Sequence, residues 1–314
     1  MPELRPKLQS RAAALAQIRD FFAQRDVLEV DTSVLSDAAT PDPNLHSLTT
    51  RLACRPGVDW YLQTSPEMAM KRLLAGGSGD IYQIARAFRD GEIGAQHQPE
   101  FTLVEWYRVG WDEGRLMDEV TELITHLMPD QWGAHDSTRI SYCDAFQRFC
   151  GLDPLTADLA ELRCRATQQG LSIPDQAVDT NEVLDLMLAA LIAPQLGQDG
   201  PTVVFDFPAS QAALAQLQPH DPRVAARFEV FLRGIELANG FRELSDPSEQ
   251  RRRFEAELAL RRQRQLPQVN LDERFLAVVG SLPPCSGVAL GFDRLLMLAN
   301  AHTRIDTVMT LPAF

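Results

Sequence analysis

Apolar residues recur at Leu8, Ala12, Leu15, Ile18 and Phe22, one face of a 3.6-residue repeat, and predict an amphipathic helix over 8–24. A short strand is expected at 27–30 and another at 58–64. Ser65-Pro66-Glu67 then reads as a helix start, with Ser65 as cap, Pro66 in the first helical position and Glu67 in the first turn. Strands at 81–89 and 101–109 flank a polar loop. From 113 to 196 the pattern is mainly helical, with amphipathic runs at 114–128, 156–169 and 181–193. Strands return at 202–207, 226–232 and 235–239, and a charged helix spans 247–265. Near the end, a small-residue strand at 287–292 runs into a helix that begins near Asp293. Strands that follow one another, with helices gathered in blocks, predict an α+β fold: an antiparallel β-sheet flanked by helices.

Alternation places the polar residues of these strands. Phe101, Leu103, Glu105 and Tyr107 fall on one side of their strand, and Gln83, Ala85, Ala87 and Arg89 share a side of the neighbouring one. Arg233-Gly234 suits a two-residue hairpin loop. That register sets Leu232 opposite Ile235, Phe231 opposite Glu236 and Glu229 opposite Ala238. Glu229 and Glu236 are then diagonal neighbours, close enough for both carboxylates to reach one cation. Asn239 and Glu243 would extend this polar lining. In SGVALGFDR, residues 286–294, Gly287, Ala289 and Gly291 alternate on one side and leave room for a flat ligand, with Arg294 following at the strand-to-helix junction. Taken singly, these features also fit a solvated sheet face, an acidic hairpin and tight core packing. Together they are the parts of a site for ATP and Mg²⁺, with Glu67, Glu105 and Glu243 left over to recognise a cationic substrate. Gly76-Gly77-Ser78-Gly79 reads as a turn, because no GK[ST] follows it.

Composition narrows the field. A 314-residue chain accommodates one large α/β unit or two smaller ones, and 45% hydrophobic with 23% charged residues is ordinary for a soluble globular protein. No apolar run is long enough for a membrane span and the first residues carry no apolar signal core, so a cytoplasmic protein is expected. Five scattered cysteines without a CxxC pair argue against a disulfide framework or zinc cluster. A net charge of −13 disfavours general nucleic-acid binding, although RRRFEAELALRRQR at 251–264 is locally basic.

FRDGEIGAQHQPEFTLVEWY, residues 88–107, resembles motif 2 of class II aminoacyl-tRNA synthetases of the lysyl subgroup. GVALGFDR resembles motif 3, and RAAALAQIRDFFAQRDVLEVDTSVL resembles the dimer-building motif 1. The likeness covers almost the whole chain, as a single catalytic domain over 1–314 with a helical insertion at about 113–196. No counterpart is expected for the anticodon-binding barrel that precedes this core in lysyl-tRNA synthetases, because the likeness to motif 1 starts within the first dozen residues. Such a free-standing core, with FPASQA, GIELANGF and CSGVALG, is similar to the elongation factor P–(R)-β-lysine ligases. These adenylate β-lysine and transfer it to a lysine of elongation factor P.

The resemblance implies a role for each matching position. Arg89 would hold the α-phosphate and Arg294 the tail of a bent ATP, with Phe101 and Arg294 sandwiching the adenine. Asp90, Gly91, Glu92, His97, Gln98, Leu237 and Gly291 would line the nucleotide site, and Glu229 and Glu236 would hold Mg²⁺. Ser65, Pro66, Glu67, Glu105, Tyr107 and Glu243 would bind the diamino acid, Asn239 would lie near its carboxylate, and the methyl of Ala289 would favour the β-isomer. A homodimer is expected, and tRNA is not an expected partner. Three positions depart from the pattern. Gly91 stands where the motif 2 acid is expected, with Glu92 one place later; Gln98 replaces asparagine; Ser33 replaces the motif 1 proline. A tRNA-acylating or free-lysine-activating enzyme, or a non-catalytic amino-acid sensor, fits the same motifs.

Overall fold

The computed structural model describes residues 4–128, 137–174 and 179–312. The chain divides into two compact units, one formed by 1–111 with 244–314 and the other by 112–243.

In the first unit, helix Leu4–Ala23 begins four residues before the periodic run, with Pro6 tolerated in its first turn. Leu8 stays exposed, and the helix buries Ile18, Phe21 and Phe22. Strand Leu28–Glu29 runs parallel to strand Ile81–Phe88, which pairs antiparallel with Glu100–Val109, and that strand pairs antiparallel with Cys285–Gly291. Phe22 stacks on Tyr82 at 4.3 Å and meets Trp106 edge-on at 5.3 Å, so the first helix covers one side of this sheet. The opposite side carries Gln83, Ala85 and Ala87 beside Glu105, Leu103 and Phe101, as alternation requires. Helix Glu67–Ala75 closes one end of that side, where Met70 and Leu74 pack with Ile81 and Tyr107. Its N-cap is Pro66 and no side chain caps it, so the expected Ser65 cap is not formed. The 76–79 glycines do form a turn, with Gly77 and Gly79 at positive φ. A small sheet joins Asp59–Leu62 to Leu35–Ser36 and Thr49–Arg51. Helix Pro247–Gln263 and helix Phe292–Ala299 complete the unit.

The second unit pairs strand Thr138–Ser141 parallel to Thr202–Pro208, which runs antiparallel to Val224–Leu232, itself antiparallel to Ile235–Arg242. Its core joins Tyr142, Phe146, Leu162, Val183 and Met187 from helices Tyr142–Cys150, Leu159–Gln168 and Thr180–Met187 to Val204, Phe207 and Phe231 of the strands. The strand Thr138–Ser141 interrupts the block expected to be mainly helical over 113–196, and helix Tyr142–Cys150 resumes it. Residues 129–136 and 175–178 of that block lie outside the described residues. The sheets with flanking helices make the fold α+β.

Candidate active site

In the first unit the motif 2 strand carries the polar side chains. Glu105 is buried and accepts a 2.7 Å hydrogen bond from the Tyr107 hydroxyl. Across the ladder Glu105 stands between Gln83 on one neighbouring strand and Ala289 on the other. Gly287 pairs with Tyr107 and Gly291 with Leu103, so the small-residue side of Cys285–Gly291 adjoins the carboxylate and phenol. Directly opposed residues keep their Cβ atoms about 5 Å apart, which brings the Ala289 methyl against the Glu105 side chain.

Arg89 lies one residue beyond its strand, and its N–H continues the ladder to Pro99 O at 2.9 Å. Alternation brings the side chain over Phe101, with the guanidinium carbon 5.0 Å from the ring centroid. Glu92 folds back towards Arg89 at 3.6 Å. Gly91 between them has φ +80°, a conformation that strains any side chain, so an acid is accommodated more readily one place later. Arg294 donates to Gln96 O at 3.3 Å, and its Nη2 lies 2.5 Å from His97 Nε2. Both motif arginines thus touch the 89–101 segment. Gln98 is buried and lines a separate 200 Å³ cavity with Arg11 and Arg86.

Ser65 and Glu67 line a cavity of about 420 Å³, together with Trp60, Thr64, Arg72 and Arg274, a size suited to a small-molecule ligand. Glu67 is paired at 2.7 Å with Lys71, which is almost fully buried one helical turn later. The signal for Lys71 in the sequence is the i, i+4 Glu-Lys spacing on a predicted helix. Burial, helped by the charges of Asp42 and Glu67, pushes the Glu257 carboxyl up to about 8.

In the second unit the Arg233-Gly234 loop turns the hairpin, with φ +50° and +75° as a two-residue loop of the I′ kind requires. Leu232 faces Ile235 and Phe231 faces Glu236 as expected. A β-bulge then intervenes, so Val230 takes Ala238 and Glu229 takes Asn239. This corrects the register that set Glu229 opposite Ala238. The extra residue matters because a regular ladder would send Asn239 and Glu243 to the other side. With it, Glu236, Asn239, Phe241 and Glu243 share a side with Arg227, Glu229 and Phe231, while Leu237 is buried within the irregular step.

Glu229 is buried and pairs with Arg227 at 2.5 Å. Burial first, and then the charge of Glu236, drive its carboxyl well above the ordinary range, against the pull of Arg227. The charge of Glu236 disfavours ionisation of Glu229 on the same side of the hairpin, a repulsion that a bound cation would relieve. Among the described residues no cluster of three or more His, Cys, Asp or Glu is placed to hold a metal by itself. The pair suits Mg²⁺ brought with phosphates, which needs one or two carboxylates only. Asn239 Oδ1 is buried and meets no partner among the described residues. The signal for Arg227 in the sequence is its place two residues before Glu229, and so on the same side of the strand.

Four of the five arginines of helix Pro247–Gln263 have partners within the fold, and Arg262 is exposed. Arg251 pairs with Glu273, Arg252 and Arg253 with Glu249, and buried Arg261 donates to Pro267 O and Asp42 O.

An antiparallel sheet carrying one arginine after the motif 2 strand and another at the motif 3 strand-to-helix junction belongs to the class II synthetase architecture. The family model for tRNA synthetases class II (D, K and N) matches residues 1–314, and the chain belongs to that family. Its relatives include proteins named elongation factor P–(R)-β-lysine ligase. That of Vibrio vulnificus is 47% identical over 311 residues, 98% of this chain and 95% of the relative. The Yersinia enterocolitica protein is 47% identical over 310 residues, 97% and 94% of the two chains. The Salmonella dublin protein is 48% identical over 309 residues, 96% and 94%.

Proposed function

We propose that the chain is an ATP-dependent, AMP-forming ligase that adenylates (R)-β-lysine and transfers it to a lysine side chain of translation elongation factor P. The observation that carries this reading is the near-full-length similarity, at 47–48% identity, to proteins of that name. The local geometry supports it: a buried carboxylate held by a phenol, with the Ala289 methyl beside it, suits the ammonium group of a diamino acid whose shape is being selected.

In the first step the substrate carboxylate attacks the α-phosphorus of ATP in line, and pyrophosphate leaves. Arg89 would neutralise charge on the α-phosphate and Arg294 would hold the polyphosphate tail, while Phe101 would stack on the adenine near Asp90, Glu92 and His97; Gln98, which shares its cavity with Arg11 and Arg86, is left out of that set. Mg²⁺, held by Glu229 and Glu236, would supply charge neutralisation at the phosphates. Ser65, Glu67, Glu105, Tyr107 and Glu243 would orient the diamino acid, with Asn239 near its carboxylate. In the second step the neutral amine of the acceptor lysine attacks the acyl carbon and expels AMP. With an ordinary pKa near 10.4, that amine must lose a proton first.

The reading carries with it a cytoplasmic location and a homodimer built on motif 1. No helix among the described residues is long and apolar enough to cross a membrane. The pairing of Arg251, Arg252 and Arg253 with Glu273 and Glu249 offsets much of the positive charge that a tRNA-binding face on that helix would need. ATP–pyrophosphate exchange tests the first step. (R)-β-lysine should stimulate exchange by the wild type, and Arg89→Ala should abolish it. Wild-type enzyme without exchange would favour the sensor instead.

A further inference from the structure

Arg294 and Phe101 sit on elements nearly two hundred positions apart, and the proposed chemistry needs them at a fixed separation. The backbone ladder does not reach far enough to impose it. The last paired residues of the motif 2 and motif 3 strands are Leu103 and Gly291. Helix Phe292–Ala299 then starts from Gly291 with no side-chain cap.

A three-residue brace begins where the ladder ends. Asp293 is 1% exposed. Its Oδ2 accepts from the Thr102 N–H at 2.6 Å, one step past the final backbone pair. Its Oδ1 accepts from Arg11 Nη1 at 2.5 Å, and Arg11 Nη2 donates to Thr102 Oγ1 at 2.7 Å. The Arg11 guanidinium also lies 4.9 Å from the Phe292 ring centroid. Each member adjoins a residue that would handle ATP: Thr102 follows Phe101, and Asp293 precedes Arg294. By alternation Thr102 points to the opposite side of the sheet from Phe101, so the brace lies behind the proposed ATP-binding side. The carboxylate also occupies the first helical turn, where the helix dipole favours it in place of the missing cap.

We propose that Arg11 and Asp293 are positioning residues for ATP activation, fixing Arg294 and Phe101 to one spacing from the back of the sheet. This inference rests on the ligase reading above, in which those two residues hold the nucleotide. Neither Arg11 nor Asp293 touches a reacting atom. Their effect is selective because the diamino-acid groups Glu105 and Tyr107 lie further along the motif 2 strand, within the intact ladder.

The test is ATP–pyrophosphate exchange by the full chain with (R)-β-lysine, varying each substrate in turn, for Asp293→Asn, Arg11→Met, Arg11→Lys and the Arg11→Met/Asp293→Asn double variant. A displacement of about 1 Å in a positioning group costs on the order of 100-fold. Asp293→Asn should therefore lose about that factor in kcat/KM for ATP, while the KM for β-lysine stays within about twofold. Arg11→Lys should recover part of what Arg11→Met loses, and the double variant should be no worse than its poorer single parent. Thermal melting identifies variants that have lost the fold; if Asp293→Asn is one, the Arg11 pair carries the test alone. Folded variants with wild-type ATP kinetics, or with both substrates' KM raised equally, would overturn the brace. Wild type without exchange would overturn the ligase reading and the brace with it, whereas an active wild type with normal variants overturns the brace alone.

Discussion

Glu229 faces Asn239 across its hairpin, one residue further along than a regular ladder would put its partner. That single extra residue brings Asn239 and Glu243 to the same side as the Glu229–Glu236 pair. It also leaves Asn239 Oδ1 buried without a partner among the described residues. A buried acceptor without a donor costs stability unless a ligand N–H fills the role, while the N–H groups of the same amide are the donors a substrate carboxylate would need.

Asn239→Ala should therefore separate stability from activity. Removing the amide removes an unsatisfied group, so the melting temperature should hold or rise. The KM for the amino acid in pyrophosphate exchange should rise by about tenfold or more, the weight of one lost hydrogen bond to a charged group. A variant that melts earlier with unchanged kinetics would show Asn239 to be structural.

Glu229 makes the pH dependence specific. Its folded-state pKa is raised from an ordinary 4.5 to about 8 by burial and Glu236. Its contribution to stability is complete below the unfolded value. It is lost as the pH climbs from about 5 towards 8, because the unfolded chain ionises first. In a chelating buffer the melting temperature should fall across that window. Glu229→Gln should lessen the fall, leaving the share that belongs to Glu257, whose carboxyl is also raised to about 8, and Mg²⁺ with a non-hydrolysable ATP analogue should offset the Glu229 share in the wild type only. A wild-type curve flat from pH 5 to 8 would contradict this placement of charge.

Ala289 stands directly opposite Glu105, and a methyl group in a pocket discriminates by roughly 10–200-fold. Ala289→Gly should shift the ratio of kcat/KM for (R)-β-lysine over L-lysine towards L-lysine by about tenfold. Parallel exchange assays with the two isomers measure it. An unchanged ratio would move isomer selection to other residues.

Arg89 meets Phe101 face-on and Glu92 at its edge. A lysine at this position keeps the charge but loses the planar fork. Arg89→Lys should retain less than about a tenth of wild-type exchange, in the range that follows from losing one transition-state donor. Glu92→Gln should alter the KM for ATP alone. Near-normal turnover by Arg89→Lys would show that a point charge suffices there.

Local chemistry was legible in the sequence wherever neighbours in sequence are neighbours in space. Arg233-Gly234 fixed the hairpin, and alternation grouped Glu105 with Phe101 and Leu103, Gln83 with Ala85 and Ala87, and Ala289 with Gly287 and Gly291, groupings that hold because those strands pair without interruption. That Cys285–Gly291 lies beside the motif 2 strand came only from the assembled sheet. The bulge after Glu236 was not legible, since Glu236-Leu237-Ala238 contains no glycine or proline to mark an extra residue. Strand Thr138–Ser141 is four residues long, too short for a period to emerge beside long helical runs. The Arg11–Asp293 ion pair spans 282 positions, and only the assembled sheet brings its ends together. Lys71 and Arg227 were within reach, through i, i+4 spacing and strand alternation, but each lay beside a more conspicuous acid.

The most direct measurement is the intact mass of elongation factor P after incubation with the enzyme, ATP, Mg²⁺ and (R)-β-lysine. The account predicts a gain of one β-lysyl residue on a lysine side chain, dependent on ATP and absent with Arg89→Ala. An elongation factor P of unchanged mass, alongside tRNA that becomes acylated under the same conditions, would contradict it.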